Sequence, residues 1–268
     1  MSFETVFGNI ISILSLIITV SIIILSVRKL TEKKNKVLSV FFTFAMVSYF
    51  MSEVYYFAYN FLIPDTRMPF AANEIAEASM ILLLCAVLET TLGKDKKINI
   101  PAALFSTVFI GINMALWIMW AGEWIKNIIF GLPYIYFLYL LIKGVMKTKA
   151  VSSKEIITAT VLSICVMAGE AIAIFLNGTV RPIVETGCYP FMYILWILIC
   201  IKTIATLRKE DKKQGESIYL SFTLHIWTML LMFMSADIFY NVANIMYILV
   251  MPLMYLAFKK ELSKDDIR

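Results

Sequence analysis

The sequence predicts an all-α, polytopic transmembrane bundle of eight or nine helices, and three observations predict it. Of 268 residues, 60% are hydrophobic and only 16% are charged. The mean hydropathy is +0.82. Uncharged apolar runs such as 10–27 and 105–120 recur along the whole length. Soluble domains carry about 25% charged residues, so this composition excludes one. At roughly 20 residues per crossing, most of the chain is committed to lipid. Nucleotide-binding domains, kinase modules and extracellular receptor domains are thereby excluded. Any chemistry must come from side chains inside a helical bundle or at its edge.

Taken in order, the predicted spans are 9–27, 37–62, 70–92, 98–120, 123–145, 156–176, 188–207, 217–236 and 241–258, forming one integral membrane domain. The first lacks a basic leader and a small-residue cleavage site and is followed by Arg28 and Lys29, so it reads as a retained helix and not a secretory signal. Basic residues then mark alternate ends. Five clusters, at 28–36, 94–97, 143–154, 202–213 and 259–268, hold 21 of the 24 Lys and Arg, while Arg67, Lys126 and Arg181 stand alone in the other loops. The positive-inside rule puts the clusters in the cytoplasm. Nine crossings then place the N-terminus outside and the C-terminus inside a bacterial-type cytoplasmic membrane. Trp117, Trp120 and Trp124 decorate an outer boundary as membrane interfaces require. The last two spans are joined only by 237–240, which could instead be a bend, so a count of eight stays open. The net charge of +5 is read as topology and headgroup contact, not nucleic-acid binding.

Four cysteines and one histidine restrict the chemistry further. Cys85, Cys165 and Cys200 fall within apolar spans, so no pair is positioned for an outer disulfide and all four are read as packing residues. A lone His225 removes His-based metal sites and is read as a neutral ring bonded to a neighbouring helix. Neither a metal nor an organic cofactor is expected.

What stands out is acid at membrane depth. Glu53, Glu74, Glu77, Glu170 and Asp237 lie within or at the ends of predicted spans, where an ionisable group costs at least about 2.5–3.5 kcal/mol unless it faces a polar interior. Counted from the span ends, Glu53, Glu74, Glu77 and Glu170 all fall in the outer half. Asn73 and Glu77 are four apart, and Glu74 and Glu77 three, so one helical face presents them together. The simplest arrangement is a wet acidic cavity opening outward. The bland reading is that protonated acids bond helices together, or pair with Arg67 or Arg181. Glu89, beside Lys94 near the cytoplasmic end, reads as half of an interfacial pair.

The string 50–56, Phe-Met-Ser-Glu-Val-Tyr-Tyr, can be laid over 233–240, Phe-Met-Ser-Ala-Asp-Ile-Phe-Tyr, with one residue inserted, and this suggests related positions in two halves. At these residues, and at the Pro252-Leu253-Met254-Tyr255 of the last span, the chain resembles the lysoplasmalogenase (YhhN-type) family of multi-helix membrane enzymes. That family pairs a Gly-Asp with a later Ser-Asp; here Ser52-Glu53 and Ser235-Ala236-Asp237 stand in those places. The resemblance covers the second, third, eighth and ninth spans. Glu replaces the first Asp and an extra residue splits the second pair.

The resemblance implies hydrolysis of the vinyl ether of a lysoplasmalogen by two carboxyl groups, Glu53 and Asp237. One would act as general acid and the other would stabilise the cation and activate water. Arg67 or Arg181 would hold the phosphate of a lysophospholipid drawn from the surrounding membrane lipids, and Tyr55 or Tyr56 would line the route. Glu74, Glu77 and Glu170 would complete the substrate-binding surface. The competing expectation is a small-solute or proton-coupled transporter, or a sensor, whose carboxylates bind a proton, cation or amine.

Overall fold

The computed structural model describes residues 3–31, 35–62, 72–93, 97–121, 124–176, 180–209, 213–234 and 237–264. Among them are nine α-helices and no strand: α1 Phe3–Leu30, α2 Lys36–Leu62, α3 Ala72–Leu92, α4 Ile100–Ala121, α5 Trp124–Thr148, α6 Ser153–Phe175, α7 Val180–Arg208, α8 Glu216–Met234 and α9 Asp237–Leu262. Six contain a stretch long and apolar enough to cross a bilayer: Phe7–Leu30, Lys36–Tyr59, Asn73–Leu92, Ile128–Thr148, Gly187–Arg208 and Phe239–Leu262. A shorter apolar helix, Ile100–Leu116, lies in α4. The chain is a helical membrane protein.

The direction of each helix follows from its contacts. Tyr134 of α5 meets Glu77 of α3, and Lys147 meets Leu92 further along both, so α3 and α5 run parallel. Tyr193 and Thr206 of α7 meet Phe239 and Lys260 of α9 in the same sense. The intervening helices must return the chain. Residues 237–240, expected as the connection between the last two spans, instead form the first turn of α9. An acidic residue type suits that helix N-terminus, where backbone N–H groups are unpaired. Gly215, just before α8, donates its N–H to Glu261 near the end of α9 at 3.0 Å, so α8 and α9 form a tight antiparallel hairpin.

Helix neighbours trace two rings that share a wall. One runs α1–α2–α3–α5–α8–α9 and back to α1; the other runs α5–α4–α6–α7–α8. The shared wall explains why α8 is buried on nearly every side: Ile218, Phe222, Leu224, His225 and Thr228 are all 0% exposed. Close approach to α5 is possible because Gly144 has no side chain; a Cβ there would meet the ring of Tyr219 at 2.3 Å. Gly215 has φ +81°, which lets the chain turn into α8 beneath that ring.

Lysines of the basic clusters bind helix ends. Lys147 donates to the carbonyl of Leu92 at 2.8 Å and Lys260 to that of Thr206 at 2.7 Å, so lysines cap carbonyls at the C-terminal ends of α3 and α7. Buried Lys143 donates to the carbonyl of Lys97 at 2.7 Å. At the start of α6, Ser152 and Glu155 form a reciprocal capping box, with Ser152 N–H on Glu155 at 2.7 Å and Glu155 N–H on Ser152 at 3.3 Å. Lys202 of α7 pairs with the same carboxylate at 2.6 Å.

Several expectations change. Cys85 and Cys188 are buried packing residues, but Cys165 is exposed on the outer surface of α6. Glu89 is bonded by the hydroxyl of Tyr136, while Lys94 lies outside the described residues. His225 finds no hydrogen-bond partner for either ring nitrogen among the described residues; its neighbour is the ring of Tyr247, 5.2 Å away between centroids.

Two outcomes follow. Tyr219 is 1% exposed and has nowhere to move, so Gly144→Ala should cost about 1–3 kcal/mol through overpacking, read as a lower melting temperature in detergent; an unchanged melt would deny the close α5–α8 contact. Hydrogen bonds from Lys202 and then Ser152 hold the Glu155 carboxyl down at about 2. A depressed carboxyl adds stability above its unfolded value and loses it as pH falls through the folded one. The melting-temperature gap between wild type and Glu155→Gln should therefore close between pH of about 4.5 and about 2. The side chains are 31% and 48% exposed, so screening keeps the gap small.

Candidate functional site

The acids of α2 and α3 meet inside the first ring, each held by tyrosines from other helices. On α2, Tyr49, Glu53 and Tyr56 repeat at four and three residues and share one face. On α9, Tyr240, Asn244 and Tyr247 repeat in the same way. The two faces oppose each other. The Tyr56 and Tyr240 hydroxyls lie 3.5 Å apart, and the rings of Tyr49 and Tyr247 are 5.5 Å apart with their hydroxyls in hydrogen-bonding reach. Asn244 is within reach of Tyr240, one turn before it on the same helix.

Glu53 is within hydrogen-bonding reach of Ser15 on α1 and of Tyr49. Ser15 and Tyr49 themselves are 3.1 Å apart. Glu77 accepts a hydrogen bond of 2.5 Å from the hydroxyl of Tyr134 on α5. Beside it, Ser52 donates to the side-chain oxygen of Asn73, tying the C-terminal part of α2 to the first turn of α3. Glu53, Glu74 and Glu77 lie near one another, and Tyr240 and Tyr247 lie near Glu53. Among the described residues, no Lys or Arg pairs with Glu53 or Glu77. A hydrogen bond from a neutral donor to a charged acceptor is worth about 1.5–3 kcal/mol, which offsets part of the cost of keeping a carboxylate here.

Of the residues singled out from sequence, the structure therefore gathers Glu53, Glu74, Glu77 and Tyr56. Tyr55 points elsewhere, its ring 6.4 Å from that of Tyr59 on the same helix. Arg67 lies outside the described residues, and so do the side chains of Glu170, Arg181 and Asp237. Ser235 and Ala236 of the second motif lie outside them too. The backbone at Asp237 is described, however, as the first residue of α9, one turn before Tyr240.

The residues that sequence reasoning missed are the partners: Ser15, Tyr49, Tyr134, Tyr240 and Tyr247. A signal for two of them was present, since Tyr49 is four residues before Glu53, and Tyr247 is seven after Tyr240. Tyr134 and Ser15 carry no such mark; only packing of α5 and α1 against the acids reveals them. The groups on offer are carboxyls, phenols, a hydroxyl and a carboxamide. Such a set can donate, accept and relay protons, or surround a cation with carboxylates and aromatic faces. Among the described residues, no group of His, Cys, Asp or Glu could hold a metal ion. No family model matches the chain, and neither a curated protein nor a solved structure matches it.

Proposed function

We propose that this protein is a multi-pass hydrolase of the cytoplasmic membrane acting on a lipid, with the vinyl ether of a lysoplasmalogen as the substrate class and a carboxyl pair as the machinery. The observation that carries it is the meeting of the two motif-bearing segments, with Tyr56 and Tyr240 hydroxyls 3.5 Å apart. In the antiparallel register set by this contact and by Tyr49 against Tyr247, Glu53 lies level with the Asn244 turn of α9, and Asp237 begins that helix about 9 Å further along. The nine helices would all cross, because α4, α6 and α8 return the chain between parallel neighbours. The lysine-rich ends would face the cytoplasm, leaving the acid and tyrosine cluster toward the outside.

The chemistry needs two carboxyl groups in different states. A protonated one delivers its proton to the alkene carbon two bonds from the ether oxygen, which leaves an oxocarbenium ion on the adjacent carbon. The ionised one stabilises that cation and takes a proton from the water that adds to it. The resulting hemiacetal separates into a fatty aldehyde and a glycerophospho-alcohol, and one water is consumed. Glu53 and Asp237 fill these two roles. Phenols at Tyr49 and Tyr56 orient the carboxyl and line the route to it, and Arg67 or Arg181 holds the phosphate. No metal or organic cofactor takes part.

A second reading, a proton-coupled or cation-binding transporter, is favoured by Glu77. It lies on the α3–α5 side with its own donor, Tyr134, and hydrolysis has no use for a third carboxyl.

In purified protein that still elutes as a single species, Glu53→Gln and Asp237→Asn should each lower aldehyde release from a lysoplasmalogen by about a hundredfold or more. Tyr56→Phe should lower it less. Full activity in both acid variants would overturn the assignment, and gradient-driven uptake by vesicles in place of hydrolysis would select the second reading.

A further inference from the structure

The seam between α1 and α2 has a polar character that neither helix packing nor the acid cluster explains. The buried residues of α1 among those described are Ile11, Ser15, Thr19, Ile22 and Ser26, one narrow stripe at spacings of four and three. Three of these five carry hydroxyls. Thr19 returns its hydroxyl to the carbonyl of Ser15 at 2.8 Å, as membrane helices commonly do. Ser26 does not. Its Oγ, together with Ser39 Oγ and Thr43 Oγ1 on α2, is buried and has no hydrogen-bond partner among the described residues.

These three orphaned hydroxyls belong to one line. Ser52 faces α3, since it bonds Asn73 there. Thr43 is nine residues earlier, about two and a half turns, and so lies on the opposite flank of α2, toward α1. Ser39 is one turn further along that flank. The contact of Ser15 with Tyr49 fixes the register of the antiparallel pair. Eleven residues down α1 from that contact and ten back along α2, at about 1.5 Å each, Ser26 and Ser39 come level. Ser26 is also three turns from Ser15 and therefore on the same face. From Ser39 to Glu53 the line covers about 21 Å, a large part of a hydrocarbon core of about 30 Å. It starts three residues inside the lysine-rich end of α2, which begins at Lys36.

From this geometry we infer that the α1–α2 seam holds a file of water molecules and conducts protons between the lysine-rich end of the bundle and Glu53, which exchanges them with the opposite end through the Tyr56 and Tyr240 hydroxyls. Buried hydroxyls without protein partners are satisfied by water, and each hydroxyl can accept a proton on one lone pair while releasing another. Thr43 and Thr19 carry the line from Ser39 and Ser26 up to Ser15 and Tyr49, both in reach of the Glu53 carboxyl. The inference uses Glu53 as the terminus of the path and does not depend on hydrolysis.

The test uses the full chain in vesicles of phosphatidylethanolamine and phosphatidylglycerol with an entrapped pH dye, a potassium gradient and valinomycin. Proton entry is then balanced by potassium leaving. Wild type should acidify the lumen faster than empty vesicles. The triple variant Ser26→Ala, Ser39→Ala, Thr43→Val dewets the seam and should lower the flux about tenfold or more. Ser163→Ala, which removes a buried hydroxyl of α6 away from the seam, should leave it unchanged. If the triple variant does not elute as a folded species, Ser39→Ala and Thr43→Val alone carry the test, each with a several-fold loss. Wild-type flux at the level of empty vesicles, or full flux in the seam variants, overturns the proposal. Aldehyde release measured on the same variants in detergent, with no gradient, reports on hydrolysis separately.

Discussion

Hydrocarbon offers no hydrogen-bond partner, so a carboxyl carried between the ends of this bundle must find its donors within it. The acid and tyrosine cluster follows from that constraint. Glu53 and Glu77 sit on neighbouring helices, and each draws a donor from a helix on its far side: Ser15 of α1 for Glu53, Tyr134 of α5 for Glu77. Tyrosine suits this task because its ring packs as an apolar body while its hydroxyl reaches a partner several ångströms away. A serine at position 134 would present its hydroxyl close to the backbone of α5, too short a reach to replace the phenol.

The same rule operates at the helix ends, with a different donor. Carbonyls at the C-terminus of a membrane helix are unpaired, and here Lys147 and Lys260 supply them from neighbouring helices. Lysine can do so because its long stem packs along apolar surface while the ammonium remains at the boundary. These lysines also fix which helix ends stay together. Between the two levels runs α8, shared by both rings, where the packing is tightest and the Gly144–Tyr219 contact has no slack. The site is therefore braced from below by an apolar wall and closed laterally by hydrogen bonds.

Composition and the run of charged clusters were enough to predict an all-helical membrane bundle, because apolar length is a local property and lipid imposes it uniformly. The connection read from sequence at 237–240 was misplaced for a physical reason. A connection that short looks like a bend, and only the return contact of Gly215 with Glu261 distinguishes a hairpin from a kink. The acids were legible one by one, as ionisable groups in apolar text. Their partners were not, since Ser15 and Tyr134 are ordinary residues in their own helices and acquire a role through packing with α2 and α3. His225 shows the converse: a lone polar side chain invites a hydrogen bond on paper, yet its neighbour is the aromatic face of Tyr247.

The two readings of the acid cluster make different demands on protons, and the seam between α1 and α2 bears on that difference. Hydrolysis of a vinyl ether is proton-neutral: the proton given to carbon is returned by the water that attacks, so the carboxyl pair needs no supply from the far side of the membrane. Coupled transport is not neutral. Each cycle carries a proton from one face to the other, and the acid that binds it must reach both. Glu53 stands at the junction of these needs, with Tyr56 and the start of α9 on one side and Ser15 with the orphaned hydroxyls of Ser26, Ser39 and Thr43 leading away on the other. Glu77, on the α3–α5 side, is bonded by Tyr134 and has no such line of orphaned hydroxyls behind it among the described residues. If the seam is wet, the asymmetry between the two carboxyls is what a coupled device requires; if it is dry, the orphaned hydroxyls are an unexplained cost and the hydrolytic pair suffices.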